Sequence, residues 1–409
     1  MSLKLRWVGR NESERILEAR MMCYSAGSKD RENLGLLLAD DPRPGDGDFL
    51  LAEDGAGLVG TATIYPFHIW VRGGRLACQG PAWVGTAKTH RRRKIDGKGI
   101  AWQIMHEVLA NARARGQVLS ALMPFRGSFY EHFGYGIIEQ RCEWTVPLSL
   151  LPQGPCDGFR FAQPADRPAV MACHQRAVER GQCDIERSLA RWEHIERNAT
   201  DGFELVDSDA PGQPVRTSVF YNQFSVNGKD ILRITRLATD NYDSFVGLLH
   251  FLATLRDQFH GVQMTLPADM PLNWLLTERQ IPHRLVNHAH PEMRPYTRMQ
   301  VRVLDHMRLL NAMHLAEPAR GQLMLAVHEV EGHVSKLRLD FDAGRISASA
   351  TEMTADAECS DVTWAAVALG ELPAETAWRL GLLSAHQPAI VNLLNALSKG
   401  PVPFCEEYF

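Results

Sequence analysis

The segment from Trp83 to Gly116 constrains the fold more than any other part of the chain. Its sequence is WVGTAKTHRRRKIDGKGIAWQIMHEVLANARARG. The pattern predicts a strand that ends near Thr86, a basic loop, and a helix that begins after Gly99. One face of this helix carries apolar residues at helical spacing: Ile100, Ala101, Ile104, Met105, Val108, Leu109 and Ala112. The run VLSALM then predicts a buried strand, and this alternation of strand and helix indicates an α/β fold.

The loop between the strand and the helix has the chemistry of an anion site. Arg91, Arg92 and Arg93 supply positive charge. Gly97 and Gly99 let successive backbone N–H groups face one ligand, and the helix N-terminus adds partial positive charge. A pyrophosphate or a 3′-phosphate fits this combination. The alternative interpretation is a solvated basic loop in front of an amphipathic helix, because short glycine patterns often occur by chance.

The composition argues against several classes of protein. The 409 residues include 44 basic and 48 acidic side chains, a net charge of −4 that favours neither nucleic acid nor anionic membranes. No apolar run is long enough to span a bilayer, and the N-terminal segment lacks the apolar core of a signal peptide. The eight cysteines form no C-x-x-C pair, and the histidines show no metal-ligand spacing. We therefore expect a cytoplasmic protein without a metal.

The order of elements along the chain predicts three domains. Residues 1–149 alternate strands and helices and end at the Pro- and Gly-rich linker PLSLLPQGPCDG. Residues 150–296 repeat this pattern without the basic, glycine-containing loop, which indicates a degenerate second copy. A polar stretch containing HAHPEMRP marks the second boundary, and residues 297–409 predict a sheet backed by helices.

Two aromatic segments complete the sequence signals. RGSFYEHFGYGIIE follows the VLSALM strand directly, and we interpret Phe133 and Tyr135 within it as packing residues under a Gly-rich turn. The chain ends in PVPFCEEYF, so the α-carboxylate of Phe409 stands beside Glu406 and Glu407.

These segments together resemble a known family. The spacing K-I-D-G-K-G resembles the R/Q-x-x-G-x-G/A loop of the GNAT N-acetyltransferases. V-G-T-A-K-T-H-R-R-R followed by F-Y-E-H-F-G-Y-G resembles the enhanced intracellular survival (Eis) family of acetyl-CoA-dependent N-acetyltransferases, as do LPADMPLNWLLTE, the chain length and the final Phe409. The resemblance implies an α/β (α+β) fold of tandem GNAT domains, each a mixed central sheet with helices on both faces. It also implies a C-terminal sterol-carrier-protein-like α+β domain.

The resemblance further implies which residues contact acetyl-CoA as co-substrate. They are Val84, Gly85, Thr86, Arg91, Arg92, Arg93, Gly97 and Gly99. Backbone groups of Val84 and Thr86 are implied to line the acetyl and pantetheine end, and Arg91 and Arg92 to hold the pyrophosphate. The family continues T-H-R-R-R directly with glycine, whereas this chain places KID before Gly97. Either the loop carries a three-residue insertion, or the register moves and Lys94 takes an arginine's role.

Two catalytic residues follow from the same resemblance. Tyr130 matches the general acid, and the terminal carboxylate of Phe409 matches the base. An α-carboxylate is ionised at neutral pH but is a weak base, and partial burial raises its pKa toward usefulness. A tyrosine is suited to give a proton to the leaving CoA thiolate.

The substrate expectation is a primary amine on a cationic acceptor. Glu406, Glu407 and the terminal carboxylate form an acidic cluster, which favours an aminoglycoside, a polyamine or a lysine side chain. The stretch ADDPRPGDGD adds further carboxylates, although a solvated loop is the interpretation that we prefer for it. The resemblance also implies a homo-oligomer, commonly a hexamer, with neither nucleic acid nor membrane as partner. The alternative function is a non-catalytic acyl-CoA or lipid-binding protein with a vestigial GNAT site.

Overall fold

The computed structural model describes residues 2–25, 27–199 and 201–409. Within these ranges the structure contains no helix with the length and apolar character needed to cross a membrane.

The first part of the chain alternates strands and helices as the pattern predicts. Its strands are β1 (Lys4–Val8), β2 (Phe49–Asp54), β3 (Gly57–Val71), β4 (Gly74–Thr86), β5 (Lys94–Ile95), β6 (Lys98–Gly99), β7 (Leu119–Leu122), β8 (Gly136–Ile137) and β9 (Gln140–Pro147). Its helices are α1 (Ser13–Tyr24), α2 (Asp30–Asp40), α3 (Ile100–Ala114) and α4 (Gly127–Glu131).

The middle part repeats this order of elements. Its strands are β10 (Phe159–Phe161), β11 (Asp184–Ile185), β12 (Phe203–Asp207), β13 (Thr217–Val226), β14 (Lys229–Thr239), β15 (Gly261–Pro267) and β16 (Glu292–Thr297). Its helices are α5 (Arg167–Arg180), α6 (Leu189–Asn198) and α7 (Tyr242–Ala253).

The last part holds a smaller sheet with short helices. Its strands are β17 (Gln300–Val303), β18 (Gly321–His328), β19 (Val334–Asp342), β20 (Arg345–Ala350), β21 (Ala357–Ser360) and β22 (Leu383–Ala385). Its helices are α8 (His306–Ala312), α9 (Asp361–Ala368), α10 (Ala374–Arg379) and α11 (Pro388–Leu394).

The first sheet is mixed and is covered by helices on both faces. Its order is β1-β2-β3-β4-β7-β17-β8, with β4 and β7 parallel to each other. Strand β2 shows why both faces are covered, because alternate side chains point to opposite faces of a sheet. Phe49 and Leu51 belong to the core under α1, whereas Leu50 and Ala52 belong to the core under α3.

The second sheet has the same arrangement. Its order is β10-β12-β13-β14-β15-β9-β16, with β14 and β15 parallel. Helix α7 packs on one side, where Phe245 joins a core with β15, and Val170 of α5 belongs to a separate core with Trp192. The two sheets confirm tandem GNAT-like mixed sheets.

The two sheets exchange strands across the predicted domain boundaries. Strand β9 follows β8 in the chain but pairs with β15 and β16 in the second sheet. Strand β17 follows β16 but pairs with β7 and β8 in the first sheet. The boundaries expected at 149/150 and 296/297 therefore do not coincide with the limits of the sheets, because each sheet is completed by a strand from beyond its own segment.

The third sheet has the order β20-β19-β18-β21-β22 and shares a core with the first. Val301 of β17, Leu325 of β18 and Trp364 of α9 are all buried in one cluster that also contains Leu119 of β7. This continuous core holds the last part of the chain against the first sheet, and thereby fixes where the C-terminal residues can reach.

Candidate active site

The first sheet opens into a wedge between β4 and β7. These parallel strands pair only at Cys78 with Leu119 and at Gln79 with Ser120, and no further pairing joins them in the part of the chain that the structure describes. Beyond this point β4 continues to Thr86 with its β7-facing edge open. Backbone groups on an open edge need partners, so the wedge is prepared to bind a ligand through them.

A bulge in β4 lies inside this wedge. Thr61 of β3 stands opposite Gly85 and Thr63 opposite Ala82, so two residues of β4, Trp83 and Val84, oppose a single residue of β3. Trp83 has a φ of +53°, a value rare for a residue with a side chain. A bulge leaves one residue out of the ladder and turns its backbone groups aside, which frees them for a ligand.

The residues after the bulge leave little room for side chains on one face of β4 and a free polar group at its end. A Cβ atom on Gly85 would stand 2.8 Å from the Cβ of Cys23 and 2.9 Å from the hydroxyl oxygen of Tyr24, so the end of α1 packs directly on β4. The Oγ1 of Thr86 is buried and has no hydrogen-bond partner among the described residues. An unpaired buried hydroxyl is unfavourable unless a ligand satisfies it, which supports a ligand beside β4.

The basic loop contains a small β-hairpin. Lys94 pairs with Gly99 and Ile95 with Lys98, and the turn residues Asp96 and Gly97 have φ values of +53° and +77°. Two positive φ values at an Asp-Gly turn are typical of a type I′ hairpin. The three residues that depart from the family pattern therefore lie in a hairpin, which agrees with an insertion, and the chain enters α3 at Gly99.

The arginines ahead of the hairpin are open to solvent. Arg91, Arg92 and Arg93 are exposed, and within the described ranges none has a carboxylate in ion-pair contact. Gly99, the N-cap of α3, has no side chain, so no side-chain cap occupies the first backbone N–H groups of the helix. Burial raises the pKa of Tyr24, and the nearby charge of Arg91 opposes that rise, which places Arg91 close to the end of α1. Together these groups offer the positive charge and the free N–H groups that bind a phosphate.

Tyr130 lies on the other side of the wedge, in helix α4 directly after β7. Its side chain is 6% exposed and meets the rings of Phe129 and Tyr135 edge-on, with centroids 5.0 and 6.0 Å apart. Burial raises the pKa of Tyr130 to about 12. Phe133 and Tyr135 are also buried, at 2% and 0% exposure, in agreement with a packing role.

Phe409 lies on β4 at the mouth of the wedge. A Cβ atom on Gly80 would stand 2.7 Å from Cδ2 of Phe409 and 2.6 Å from Cε1 of Phe67. The rings of Phe67 and Phe409 are 4.8 Å apart at an angle of 60°. Gly80 directly follows Gln79, the last β4 residue paired with β7. The structure therefore brings Phe409 to one strand of the wedge and Tyr130 to the end of the other.

Glu406 and Glu407 anchor the C-terminal tail, a role that we did not expect from the sequence. Arg187 donates to Glu406 at 3.0 Å and also to Glu407, and Arg191 donates to Glu407 at 2.9 Å. His174 lies 3.4 Å from Glu406. The expectation that these glutamates attract a cationic acceptor is therefore wrong, because arginines of the chain itself already neutralise them.

The acidic stretch near residue 45 is also paired internally. Asp40 contacts Arg197, Asp41 accepts three hydrogen bonds from Arg43, and Asp48 contacts Arg115. It is thus neither a free solvated loop nor an acidic patch open to a substrate. Arg43 also donates to the carbonyl oxygen of Tyr408 at 2.8 Å, which ties this segment to the C-terminal tail.

Among the described residues, one group of side chains has the spacing of cation ligands. Glu329, Glu331 and His333 offer ligand atoms within 4.8 Å of one another. Arg302 donates to Glu329 at 3.1 Å and also to Glu331, so a guanidinium already occupies this site. The expectation of a protein without a metal stays a prediction.

The residues that sequence reasoning missed are those that hold the tail. Gly80, Arg43 and Arg187 carry no local signal, since each acts on a residue far along the chain. Arg187 and Glu406, for example, are 219 positions apart. Only the fold brings such residues together.

Comparison with known proteins agrees with this geometry. A family described as "Acetyltransferase (GNAT) domain" matches residues 5–138, and a second family with the same description matches residues 183–304. Each match includes the parallel strand pair of one sheet and the helix between its two strands.

Two curated relatives carry the corresponding name. An uncharacterized N-acetyltransferase of Streptomyces coelicolor is 32% identical over 144 residues, or 34% of this chain. The chain spans 33% of the length of that relative. An uncharacterized N-acetyltransferase of Streptomyces avermitilis is 25% identical over 383 residues, which is 88% of this chain and 87% of that protein.

Solved structures match the chain over its whole length. A GCN5-related N-acetyltransferase from Anabaena variabilis has a TM-score of 0.83 at 17% identity, and Eis1 from Mycobacterium abscessus has a TM-score of 0.79 at 20% identity. Both comparisons cover 100% of each chain. At such identities they show the fold alone. Residues 5–138 and 183–304 each match a GNAT acetyltransferase domain, and these two matches support an acetyltransferase with two such domains.

Proposed function

We propose that the protein is an Eis-type N-acetyltransferase that moves the acetyl group of acetyl-CoA to a primary amine. The observation that carries this proposal is the ring of Phe409 against Gly80, at the mouth of the wedge. A chain terminus held there by five arginines is unusual, since most termini are mobile unless they are tied down.

The first domain orients the co-substrate. Acetyl-CoA, when bound, supplies the reactive thioester carbon. Backbone groups of Val84, Gly85 and Thr86 that face away from β3 would hold its acetyl and pantetheine end. Arg91, Arg92 and Arg93 would hold the phosphates, with Gly97 and Gly99 shaping the loop.

The terminal carboxylate of Phe409 would act on the acceptor. A primary amine is mostly protonated at neutral pH, so it must lose a proton before it attacks. A carboxylate at the wedge attracts the ammonium group, orients it and accepts its proton directly or through water. Since Glu406 and Glu407 are neutralised internally, this carboxylate is the tail group left to attract a cationic amine.

Tyr130 would act on the leaving group. With a pKa of about 12 its hydroxyl stays protonated throughout the working pH range. A thiol has an ordinary pKa of about 8.5, so complete proton transfer from Tyr130 is uphill. We therefore assign to Tyr130 a hydrogen bond that strengthens as negative charge develops on the sulfur, with the proton following as CoA departs.

The finer substrate class rests on the family resemblance. It favours aminoglycosides, polyamines or lysine side chains, and it supports a hexamer in the cytoplasm. For residues 297–409 it supports a sterol-carrier-like domain, to which we assign the role of delivering the tail.

Thiol release tests the proposal. The protein is incubated with acetyl-CoA and a panel of polyamines, aminoglycosides and lysine peptides, while free CoA is followed. We expect CoA release that requires an amine, and a Tyr130→Phe variant with kcat lower by about 10²-fold. Tyr296→Phe, in strand β16, is the matched control and should keep the parent rate.

The alternative function predicts a different result. If the site only binds acyl-CoA or lipid, calorimetry detects acetyl-CoA binding while no amine on the panel releases CoA. That outcome would overturn the proposal of catalysis and favour a vestigial site.

A further inference from the structure

The second GNAT domain repeats the wedge of the first. Strands β14 and β15 pair only over Ile231–Arg233 and Gly261–Gln263, and then part. Strand β14 also carries a bulge, because Tyr221 stands opposite Ile234 and Phe220 opposite Arg236. We call the space beyond this pairing the second wedge.

The second wedge lacks a phosphate site. Only Asp240 and Asn241 join β14 to α7, in place of the basic hairpin loop. The side chain of Asn241 caps α7 by accepting a hydrogen bond from the Ser244 N–H at 2.9 Å. Asp240 adds negative charge and is paired with Arg176. This wedge therefore has neither the glycine-containing hairpin nor the uncapped helix end of the first one, and it is built for a different ligand.

The C-terminal tail, residues 401–409, lines the second wedge with Val402, Phe404, Glu406 and Tyr408 and ends with Phe409 on β4 of the first. A cavity of about 770 Å³ remains there, lined by Leu237, Phe245 and Leu266 of the domain and by Val402, Phe404 and Tyr408 of the tail. The N–H of Leu237, just past the bulge, donates to the carboxylate of Glu406. A backbone group beside the bulge of β14 is thus satisfied by the tail.

The rest of the chain, which we call the body, holds the backbone of the tail through side chains and loops. The N–H groups of Val402, Phe404, Cys405 and Glu406 donate to the body of the protein. Their acceptors, in that order, are Asp269 at 3.2 Å, the Gln182 carbonyl at 2.8 Å, Glu139 at 2.8 Å and Asp184 at 2.9 Å. Arg141 and Arg298 each donate to the Cys405 carbonyl at 3.0 Å.

The site is also selective for side chains. Arg187, whose side chain is 3% exposed, bonds both Glu406 and Glu407, and a buried guanidinium is unfavourable without such partners. The ring of Phe404 lies 4.1 Å from the guanidinium of Arg141. Cys405 is fully buried. These contacts favour an acidic peptide in which an aromatic residue precedes two adjacent glutamates.

We infer that the second wedge is a peptide-binding site, and that residues 401–409 are its resident ligand. The degenerate GNAT domain then has a function of its own: in place of acyl-CoA it binds an acidic peptide, and so presents the chain terminus to the first domain. The binding is carried by contacts rather than by the covalent link at Gly400. The inference rests on the proposed function only for the effect on catalysis.

Cutting the link in the folded protein tests this inference. A protease recognition sequence is inserted between Gly400 and Pro401, which are both exposed, and the folded full-length protein is cleaved. We expect the PVPFCEEYF peptide to co-elute with the body on gel filtration. Fluorescent PVPFCEEYF should then exchange into the cleaved protein, as followed by anisotropy.

Competitor peptides define the specificity without a change in the protein. We expect the doubly substituted peptide with Glu406→Gln and Glu407→Gln to bind at least about tenfold more weakly, because it leaves Arg187 without anionic partners. The matched control is Pro401→Ala, since this residue is exposed and precedes the first tail residue that the body contacts, so the change should alter the affinity little. Immediate loss of the peptide on cleavage, or equal affinity of all three peptides, would overturn the inference.

The amide form of the peptide separates this inference from the proposed function. PVPFCEEYF with a C-terminal amide should bind as tightly as the acid, since the body makes its contacts with residues 402–408 and the ring of Phe409. If the amide binds but supports full catalysis, the peptide site stands and the proposed base is wrong. If neither form binds, the peptide site is wrong, whatever the catalytic role of Phe409 in the intact chain.

Discussion

At the scale of single residues, the site depends on Gly80, a residue of β4 without a side chain. Gly80 leaves room for the rings of Phe67 and Phe409, and a Cβ there would overlap both. Phe67 is held in the ladder of β3, whereas Phe409 lies outside the strands and helices. The tail ring is therefore the group that a larger residue would displace.

A Gly80→Ala substitution should lower kcat by about 10²-fold, because a displacement of about 1 Å at a reacting group can have that effect. The KM for acetyl-CoA and the thermal unfolding temperature should stay close to the parent values. Gly35→Ala in α2 is the control, since its Cβ would meet Leu17 at an ordinary 3.6 Å. Steady-state kinetics and thermal melts check both variants, and an unchanged kcat in Gly80→Ala would contradict the placement of Phe409.

The glutamates of the tail make stability depend on pH. Burial alone would raise the pKa of Glu406, but the contact with His174 and the charge of Arg187 outweigh it and hold this pKa at about 2. The pKa of Glu407 is also lowered, since the charges of Arg187 and Arg191 overcome its burial. A carboxylate with a depressed folded pKa stabilises the fold above its unfolded pKa of about 4.3, and this stability is lost as pH falls toward the folded value.

We therefore expect the urea midpoint to fall between about pH 6 and about pH 3, and to fall less in a Glu406→Gln variant than in the parent. The variant should be less stable than the parent at pH 6, because it leaves Arg187 with one carboxylate. Urea unfolding at both pH values measures this difference. Equal losses in the two proteins would show that Glu406 is not the linked group.

At the scale of elements, the strand–loop–helix unit from β4 to α3 is the part that sequence predicts best. The helix occupies Ile100–Ala114, and Ile104, Met105 and Val108 are buried on its predicted face. Its periodicity is a local property, so the sequence reports it directly. The sequence allowed two interpretations of Lys94–Gly99, a three-residue insertion or a shifted register. Spacing alone cannot show that an inserted segment folds back on itself as a hairpin.

Pairing between distant elements is the part that sequence does not predict. Alternating residues mark Gln140–Pro147 as a strand, but nothing local shows that its partners are β15 and β16 rather than β7. The same holds for the tail: its aromatic and acidic composition was visible, whereas its arginine partners were not. Each of these contacts is set by the fold of the whole chain.

Arg91, in the basic loop between β4 and α3, is the residue whose substitution tests the phosphate site. Arg91→Ala should raise the KM for acetyl-CoA by about tenfold while kcat changes little, because a charge-assisted contact of about 1.5 kcal/mol is lost equally from the bound and the reacting states. Arg320→Ala, an exposed arginine of the last part of the chain, is the control. Initial-rate kinetics over a range of acetyl-CoA concentrations decide the matter. A fall in kcat at constant KM would place Arg91 outside the phosphate site.

At the scale of the whole molecule, the exchange of β9 and β17 makes the two GNAT domains depend on each other. The first sheet is incomplete without β17, and the second is incomplete without β9. The third sheet shares a core with the first, and the tail returns from it through the second wedge. Neither predicted GNAT domain therefore has a complete sheet on its own.

We expect the protein to unfold in a single cooperative transition. Differential scanning calorimetry should give a calorimetric enthalpy close to the van't Hoff enthalpy, because the loss of either exchanged strand exposes both cores. Two resolved transitions would instead show domains of independent stability, and would contradict the structural role of the exchange.

The position of the terminal carboxylate is the central claim, and one extra glycine after Phe409 tests it most directly. The extension keeps the ring, the negative charge and the anchoring glutamates, but moves the carboxylate by about 3.5 Å. Kinetics with acetyl-CoA and an accepted amine should show kcat lower by at least about 10²-fold, with the KM for acetyl-CoA unchanged. An extended protein that works at the parent rate would contradict the account and leave the tail with a purely structural role.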